Sequence, residues 1–362
     1  MISRPARLAR AEVMRAGDRA VIVRVADRDG RIGWGEASPL PGRSPESPDV
    51  AAAALEGALA DLLAGPETRD LPATAGAAAA IARERITASA PSARFALEAA
   101  LVDLAAQARG SSVAALLAEE RGAAPLDRLA CSAVVEPTGP DAALAAEIAT
   151  FKVKLGDPDR LEQDLAALRR WRRGALRLDV NRRWSEADCE RWLPRLAELE
   201  PDWVEEPGTA AVILALAARR SPEGLPVALA LDESLVDEVD GAIQAIERGL
   251  VRAVVLKPAL LGGLAAAAAW AARARAAGVV PVVSHLFDGP VALAAYAELA
   301  LALAAPGDPA AGLGPHRGLD AIAPGARVMQ LVDGGAEMAA HRGGLGVDEE
   351  AVLAACAPRG AA

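Results

Sequence analysis

An α/β fold is what this sequence predicts: a modified (β/α) barrel of about seven to eight units with a separate α+β capping domain. Three observations lead there. From about residue 125 short apolar runs alternate with helical stretches. Before that point extended segments come first and helices follow. Within the alternating region, run after run ends on a charged residue at nearly constant spacing.

The N-terminal part begins with strand signals. Residues 21–25 are rich in β-branched side chains, Asp29-Gly30 is a hairpin turn signal, and 32–37 resumes an extended segment. The stretch 38–42, with two prolines and a glycine, must be a loop. Helices are expected over 50–63, 76–88 and 92–109, the last with Ser92 as its N-cap after Pro91. Barrel strands are expected at 129–135, 151–155, 176–180, 203–205, 227–231, 253–256 and 279–283, an alternation that means βαβ units and a parallel sheet. The tail from 320 breaks this pattern, carries Gly334-Gly335 and Gly343-Gly344, and is expected to return to the first domain. The expected division is 1–124 for the cap, 125–319 for the barrel and 320–362 for the return.

Composition narrows the function classes. The 362 residues suffice for a barrel plus a smaller domain, and 52% hydrophobic residues can fill a large core. A formal charge of −10 argues against nucleic acid and anionic membranes as partners. It leaves an anionic small-molecule substrate open, because a bound cation reverses the local field. Cys131, Cys189 and Cys356 are too far apart in sequence for a zinc pattern or a disulfide framework. Residues 1–17 hold four arginines and no apolar core, unlike a signal peptide, and no apolar run is long enough to span a bilayer. The expectation is a soluble cytoplasmic protein whose oligomeric state, a homo-oligomer included, is open. Short glycine pairs at 261–263 and 312–314 read as turns, and Trp171, Trp184, Trp192, Trp203 and Trp270 read as packing residues.

The chemistry lies at the strand ends. These carry Lys152 and Lys154, then Asp179, Glu205, Asp232, Lys257, and finally Ser284 and His285; from Lys154 on, successive members are 25 to 27 residues apart. That is close to the length of one βα unit, so each falls at the C-terminal rim of the barrel, where active sites of this architecture sit. Three converging carboxylates with no surplus of histidine specify a hard cation, Mg²⁺ or Mn²⁺. Lys152 and Lys154 lie two apart on one strand and so face the same side. Two adjacent ammonium groups near a cation are expected to lower each other's pKa, which suits Lys154 as a base. Lys257 approaches from the opposite wall. A metal between two lysines suits abstraction of a proton α to a carboxylate.

These residues carry a resemblance. The series Lys152-Val-Lys154, Leu178-Asp-Val-Asn181, Val204-Glu-Glu-Pro207, Asp232-Glu-Ser234 and Lys257-Pro258 resembles the motifs of the enolase superfamily, muconate-lactonizing-enzyme subgroup. The resemblance implies Asp179, Glu205 and Asp232 as metal ligands, Lys154 as acid/base and Lys257 as the lysine on the other face. It places Asn181 beside the metal site and has Glu206 and Glu233 orienting neighbours. Within the superfamily, segments 33–42 (GWGEASPLPG), 177–184 (RLDVNRRW) and 251–258 (VRAVVLKP) are similar to o-succinylbenzoate synthases. This implies dehydration of 2-succinyl-6-hydroxy-2,4-cyclohexadiene-1-carboxylate to o-succinylbenzoate, a step of menaquinone synthesis. The loop with Ser38 and Leu40 would then close over the substrate. The loop 284–290 (SHLFDGP) departs from the serine-rich stretch of those synthases, which leaves Ser284, His285 and Asp288 as candidate substrate contacts with roles open. His316 and His341 lie outside the motif series. The rival readings are an N-acylamino acid racemase or dipeptide epimerase, with muconate cycloisomerisation ranked lower, and, from another class, a non-catalytic metal-stabilised scaffold.

Overall fold

The structure, a computed structural model, describes residues 7–64, 72–140, 148–155, 157, 159–170, 174–219, 224–314, 330–332, 335–339 and 343–356. Trp171, His316, His341, Gly334 and much of the tail lie outside these residues.

The chain opens with a three-stranded antiparallel sheet, β1 (Leu8–Ala16), β2 (Ala20–Asp27) and β3 (Ile32–Ala37). The turn at Asp29-Gly30 joins β2 to β3, with Gly30 at φ 83°, where a side chain would be strained. Helices α1 (Pro48–Ala64) and α3 (Pro91–Arg109) cover the sheet, and α2 (Ala75–Arg85) packs against α3. α3 is buried along most of its length, and Gly33 and Gly35 of β3 let its backbone approach so closely that a Cβ at either would strike Ala100 or Ala96. Ser92 lies inside α3 instead of capping it. Ala90 is the N-cap, and Ser92 donates through both N–H and Oγ to Glu46, each at 2.6 Å. Glu46 thus accepts from the helix N-terminus in the place of a local cap. A fourth helix, α4 (Val113–Glu119), completes this part before the barrel.

The expected strand 129–135 is two strands. β4 (Arg128–Ala130) pairs antiparallel with β13 (Gly335–Ala339), which also pairs with β12 (Gln330–Val332). β5 (Ser132–Val135) starts a seven-stranded parallel sheet, followed in order by β6 (Thr150–Lys154), β7 (Ala175–Asp179), β8 (Trp203–Glu205), β9 (Leu229–Leu231), β10 (Ala253–Leu256) and β11 (Val280–Val283). The helices between the strands include α5 (Leu161–Leu168), α6 (Glu186–Ala197), α7 (Ala210–Arg219), α8 (Ser234–Asp237), α9 (Val239–Glu247), α10 (Pro258–Leu261), α11 (Leu264–Ala276) and α12 (Pro290–Leu303).

The sheet closes through a segment that no strand signal marks. Ala311 bridges Cys131 beside β5, and Gly312 bridges Ser284 beyond β11, both in parallel sense. Ser132 N–H donates to the Ala311 carbonyl at 2.7 Å and Gly312 N–H to the Val283 carbonyl at 2.8 Å. Residues 310–314 therefore take the eighth place in the ring. Gly312 and Gly314 are required there, because a Cβ at Gly312 would meet the Ser284 side chain and one at Gly314 the Ser132 carbonyl.

Residues 343–356 lie against the N-terminal sheet. Gly344 exchanges backbone hydrogen bonds with the 111–113 turn, and helix α13 (Glu349–Cys356) packs Val352 among Ile22 and Trp34. No helix among the described residues is long and apolar enough to cross a membrane.

Candidate active site

Period-2 geometry sorts the barrel side chains. Leu178, Val204, Leu229, Leu231, Val254 and Leu256 join the large outer core between sheet and helices. The alternate positions Trp203, Ala230, Ala253 and Val282 form a separate cluster inside the ring, with the Arg177 guanidinium 4.3 Å from the Trp203 ring centre. Asp179, Glu205 and Asp232 lie one pleat beyond Arg177, Trp203 and Ala230, and Lys257 lies two pleats beyond Ala253. On β6, Phe151 and Val153 are buried outward, and Lys152 and Lys154 share the inner face. The same alternation that fills the barrel thus aims one lysine pair, three acids and a further lysine into its mouth.

The three acids lie on adjacent strands and are almost fully buried, at 1% exposure for Asp179, 2% for Glu205 and 3% for Asp232. Lys152 bridges Glu205 and Asp179, the latter at 2.9 Å, and Lys257 pairs with Asp232. Lys154 reaches higher into the cleft. Its Nζ donates to Asn181 Oδ1 at 3.1 Å and lies 3.6 Å from Asp179. Asn181 in turn donates Nδ2 to Asp179 at 3.2 Å and to Glu233 at 3.3 Å. Backbone strain concentrates at this rim: Asn181, Arg182, Glu206 and Phe287 all have positive φ, each just past a strand end.

Electrostatics follow from burial. Burial alone would lower Lys152, but Asp179, Glu205 and Asp232 outweigh it and hold the ammonium above its ordinary range. The expected mutual lowering by Lys154 is overridden here, because a buried ammonium bridging two acids is stabilised in its charged form. Lys257 is likewise depressed by burial and then raised by Asp232 and Glu233. Burial would raise Asp179, yet the three lysines hold it low. Glu205 is pushed well above the carboxylate range by burial, with Asp179 and Asp232 adding to the rise against Lys152. Among the described residues no group of three His, Cys, Asp or Glu side chains is placed to hold a metal ion; the acids pair with Lys152 and Lys257 instead. The donor set itself fits a hard divalent cation: oxygen ligands only, buried, at the ends of three neighbouring strands.

Of these groups Lys152, Lys154, Asp179 and Lys257 line a cleft of about 330 Å³, while Glu205 and Asp232 are buried behind Lys152 and Lys257 and do not line it. Leu40 and Arg43 from the capping loop, Ser284, His285 and Phe287 from the loop after β11, and Asn181, Arg183 and Glu233 line it. Sequence reasoning had no signal for Arg43, Arg183 or the cleft position of Glu233. The strand has ended at Leu231, so the alternation that would turn Glu233 away no longer applies. Glu206 does turn away; it accepts from the backbone of Asp232 at 2.6 Å and of Ser234 at 3.0 Å, fixing the chain that bears Asp232.

Ser38 and Asp288 are placed elsewhere than expected. Ser38 is buried and donates to Glu36 at 2.5 Å, and Glu36 accepts from Gly289, Val291 and Ala292 at the start of α12. Asp288 is fully buried beneath the loop and accepts from Leu286 N–H at 2.6 Å. Neither lines the cleft: Ser38 supports Glu36, which ties the cap to the start of α12, and Asp288 holds its own loop. His285 stays at the cleft, its Nδ1 accepting from Phe287 N–H at 3.1 Å. Among the tryptophans, Trp184, Trp192 and Trp203 are buried and Trp270 packs partly buried against the core.

Comparison with known proteins gives a consistent picture. Residues 140–350 match the model of the enolase C-terminal domain-like family, and residues 1–118 match the mandelate racemase/muconate lactonizing enzyme N-terminal domain. A chloromuconate cycloisomerase of Pseudomonas sp. (strain P51) is 32% identical over 289 residues, covering 76% of this chain and 75% of that enzyme. An L-Lys-D/L-Arg epimerase of Methylococcus capsulatus is 31% identical over 309 residues, 83% of each chain. Among solved structures, muconate lactonizing enzyme from Pseudomonas putida superposes with a TM-score of 0.76 at 24% identity, covering 96% of this chain and 99% of that one. A dipeptide epimerase from Methylococcus capsulatus, complexed with Mg ion, gives 0.72 at 24% identity, covering 94% and 99%.

Proposed function

Since the chain belongs to the muconate-lactonizing-enzyme subgroup of the enolase superfamily and is an enzyme of that superfamily, we propose that it abstracts a proton α to a substrate carboxylate, with Lys154 as the base. One observation carries this reading. Lys154 ends β6 and Lys257 directly follows β10, four places apart in a ring of eight, with the three acids at the ends of the strands between. The lysines therefore face each other across the cleft.

Asp179, Glu205 and Asp232 would hold Mg²⁺, or Mn²⁺, which supplies Lewis-acid polarisation of the substrate carboxylate. With that counter-charge in place, Lys152 and Lys257 need no longer neutralise the acids. Lys154, half exposed at the mouth, takes the proton and passes it to the leaving hydroxide on the same face. Lys257, on the other side, offsets charge developing on the carboxylate. Leu40 and Arg43 cover the cleft and exclude water.

The specific reaction we propose is syn dehydration of 2-succinyl-6-hydroxy-2,4-cyclohexadiene-1-carboxylate, the o-succinylbenzoate synthase reaction. It is supported by the likeness of segments 33–42, 177–184 and 251–258 to those synthases. A second reading is epimerisation of an N-acylamino acid or dipeptide. The opposed lysines favour it, since each could act on its own face, and so does the 31% identity to an L-Lys-D/L-Arg epimerase. Proton NMR in D₂O, with Mg²⁺ and each substrate type in turn, tests both. Product formation from the cyclohexadiene without exchange on acyl amino acids supports the dehydratase. Exchange on dipeptides alone would replace it with the epimerase, and no exchange on any α-proton carboxylate would defeat the proton-abstraction reading.

A further inference from the structure

The proton-abstraction reading uses the floor of the cleft and assigns nothing to its rim. We propose that Arg183 reads a second carboxylate on the substrate, so that the cleft selects dicarboxylates over the matching monoacids. This rests on the reading above only for the seat of the first carboxylate.

The loop after β7 holds Arg183 in place from both sides. Asn181 N–H donates to Asp179 at 3.0 Å, Arg182 N–H to the Glu206 carbonyl at 2.7 Å, and Trp184 N–H to the Pro207 carbonyl at 3.0 Å. Asn181 and Arg182 both adopt left-handed φ, a strained pair that turns the chain sharply before Arg183. Trp184 is buried, while Arg183 is exposed and lines the cleft.

Three arginines stand around this side, and two of them are spoken for. Arg43 pairs with Asp237 at 2.9 Å, and Arg182 pairs with the same Asp237 at 2.6 Å and with Glu238. Arg183 has no carboxylate partner among the described residues. The acids that line the cleft are engaged elsewhere, Asp179 by Lys152 and Glu233 by Asn181. Leu40, Val134 and Phe287 add apolar wall to the same cleft, suited to a carbon skeleton between two charged ends. A guanidinium at a rim of this kind offers planar, two-pronged recognition of a carboxylate and repels a cationic tail.

The test is calorimetric binding in Mg²⁺, independent of turnover. The probes are two pairs, o-succinylbenzoate and cis,cis-muconate, each against its monoamide at the carboxylate farther from the metal. The wild type should bind at least one dicarboxylate about tenfold tighter than its amide, a preference that falls as salt is raised. Arg183→Gln should lose that preference while binding the amide as the wild type does, and Arg183→Lys should keep part of it. If Arg183→Gln preserves the wild-type ratio, or the wild type prefers neither dicarboxylate, the proposal is overturned. Loss of the preference together with no α-proton exchange on any substrate would leave Arg183 as the reader and defeat the proposed chemistry instead.

Discussion

Asp179 at the end of β7 is the register partner of Glu205 at the end of β8, so two buried carboxylates stand side by side at the mouth of the barrel. Asp232 follows on the next strand. Buried like charges at this spacing require a counter-charge, and Lys152 and Lys257 supply it in the structure described here.

Metal binding is expected to follow. Mg²⁺ should raise the thermal midpoint of the wild type in a saturable way, as mass action requires of a ligand that binds the folded state. Asp232→Asn should keep the fold and weaken the effect at least about tenfold in Mg²⁺ concentration, since one of three charged oxygen ligands is lost. Chelator should abolish activity and Mg²⁺ restore it. Full activity after exhaustive chelation, or an equal Mg²⁺ response in Asp232→Asn, would remove the metal site.

The structure explains which parts of this site were legible beforehand. Asp179 and Glu205 end apolar strands, Asp232 and Lys257 directly follow them, and the period of two that buries Leu178 or Val204 outward must send the next residue inward. Such a pattern is local and therefore visible in sequence. The closing segment 310–314 was not, because it is two alanines, two glycines and a leucine with no β-branched signal; its pairing partners lie far away in sequence. Ser38 and Asp288 looked like cleft residues because they are polar and sit in loops near the motifs. Their actual partners are local, Glu36 for Ser38 and the Leu286 N–H for Asp288, and what keeps them out of the cleft is their burial, which depends on packing far away in sequence. Arg183 was hidden for the opposite reason: an arginine in a loop carries no signal until its neighbours' ion pairs are known.

Arg43 ties the capping loop to the barrel through Asp237 at 2.9 Å, with both side chains partly exposed. A partly exposed ion pair contributes little to stability, of order 0–1 kcal/mol. Its position matters more, because it holds Leu40 over the cleft. Arg43→Ala should therefore move the melting temperature by no more than a few degrees and lower kcat/KM by about tenfold or more. A variant with lowered melting temperature and unchanged kcat/KM would make the contact purely structural.

Glu98 gives a pH dependence whose sign is fixed. It lies on α3, is almost fully buried, and accepts from Ala265 N–H at 2.7 Å at the start of α11. Burial raises its pKa from the ordinary 4.5 to about 7. A carboxyl with a raised folded-state pKa binds a proton on folding, so its contribution is full below about 4.5 and is lost as pH rises through about 7. Denaturant unfolding at pH 5 and pH 8 should show the wild type losing on the order of 1–3 kcal/mol more than Glu98→Gln over that interval. Asp288, raised to about 7 by burial and by Glu36, keeps the same sign and remains in both proteins, so only the difference between them reports Glu98. Parallel pH curves for the two proteins would show that Glu98 does not titrate in this window.

The two lysines decide between dehydration and epimerisation. In a syn dehydration one base acts on one face, and Lys154 is the more exposed of the two, 3.1 Å from Asn181 and free to meet a substrate at the mouth. Lys257 is buried against Asp232 on the opposite wall and would serve by its charge. Lys154→Ala should then abolish both product formation and exchange of the α-proton with D₂O. Lys257→Ala should slow dehydration by about 10²–10³, the loss of one charge aimed at a developing anion in a water-poor site, and should leave slow exchange by Lys154 measurable. In an epimerase each lysine works on its own substrate stereoisomer, so each variant would lose exchange from one isomer and keep it from the other. Deuterium incorporation followed by NMR on both stereoisomers of an acyl amino acid, beside the cyclohexadiene, separates the two patterns. Reciprocal, stereospecific losses would reject the dehydratase while leaving the metal site and the barrel as described.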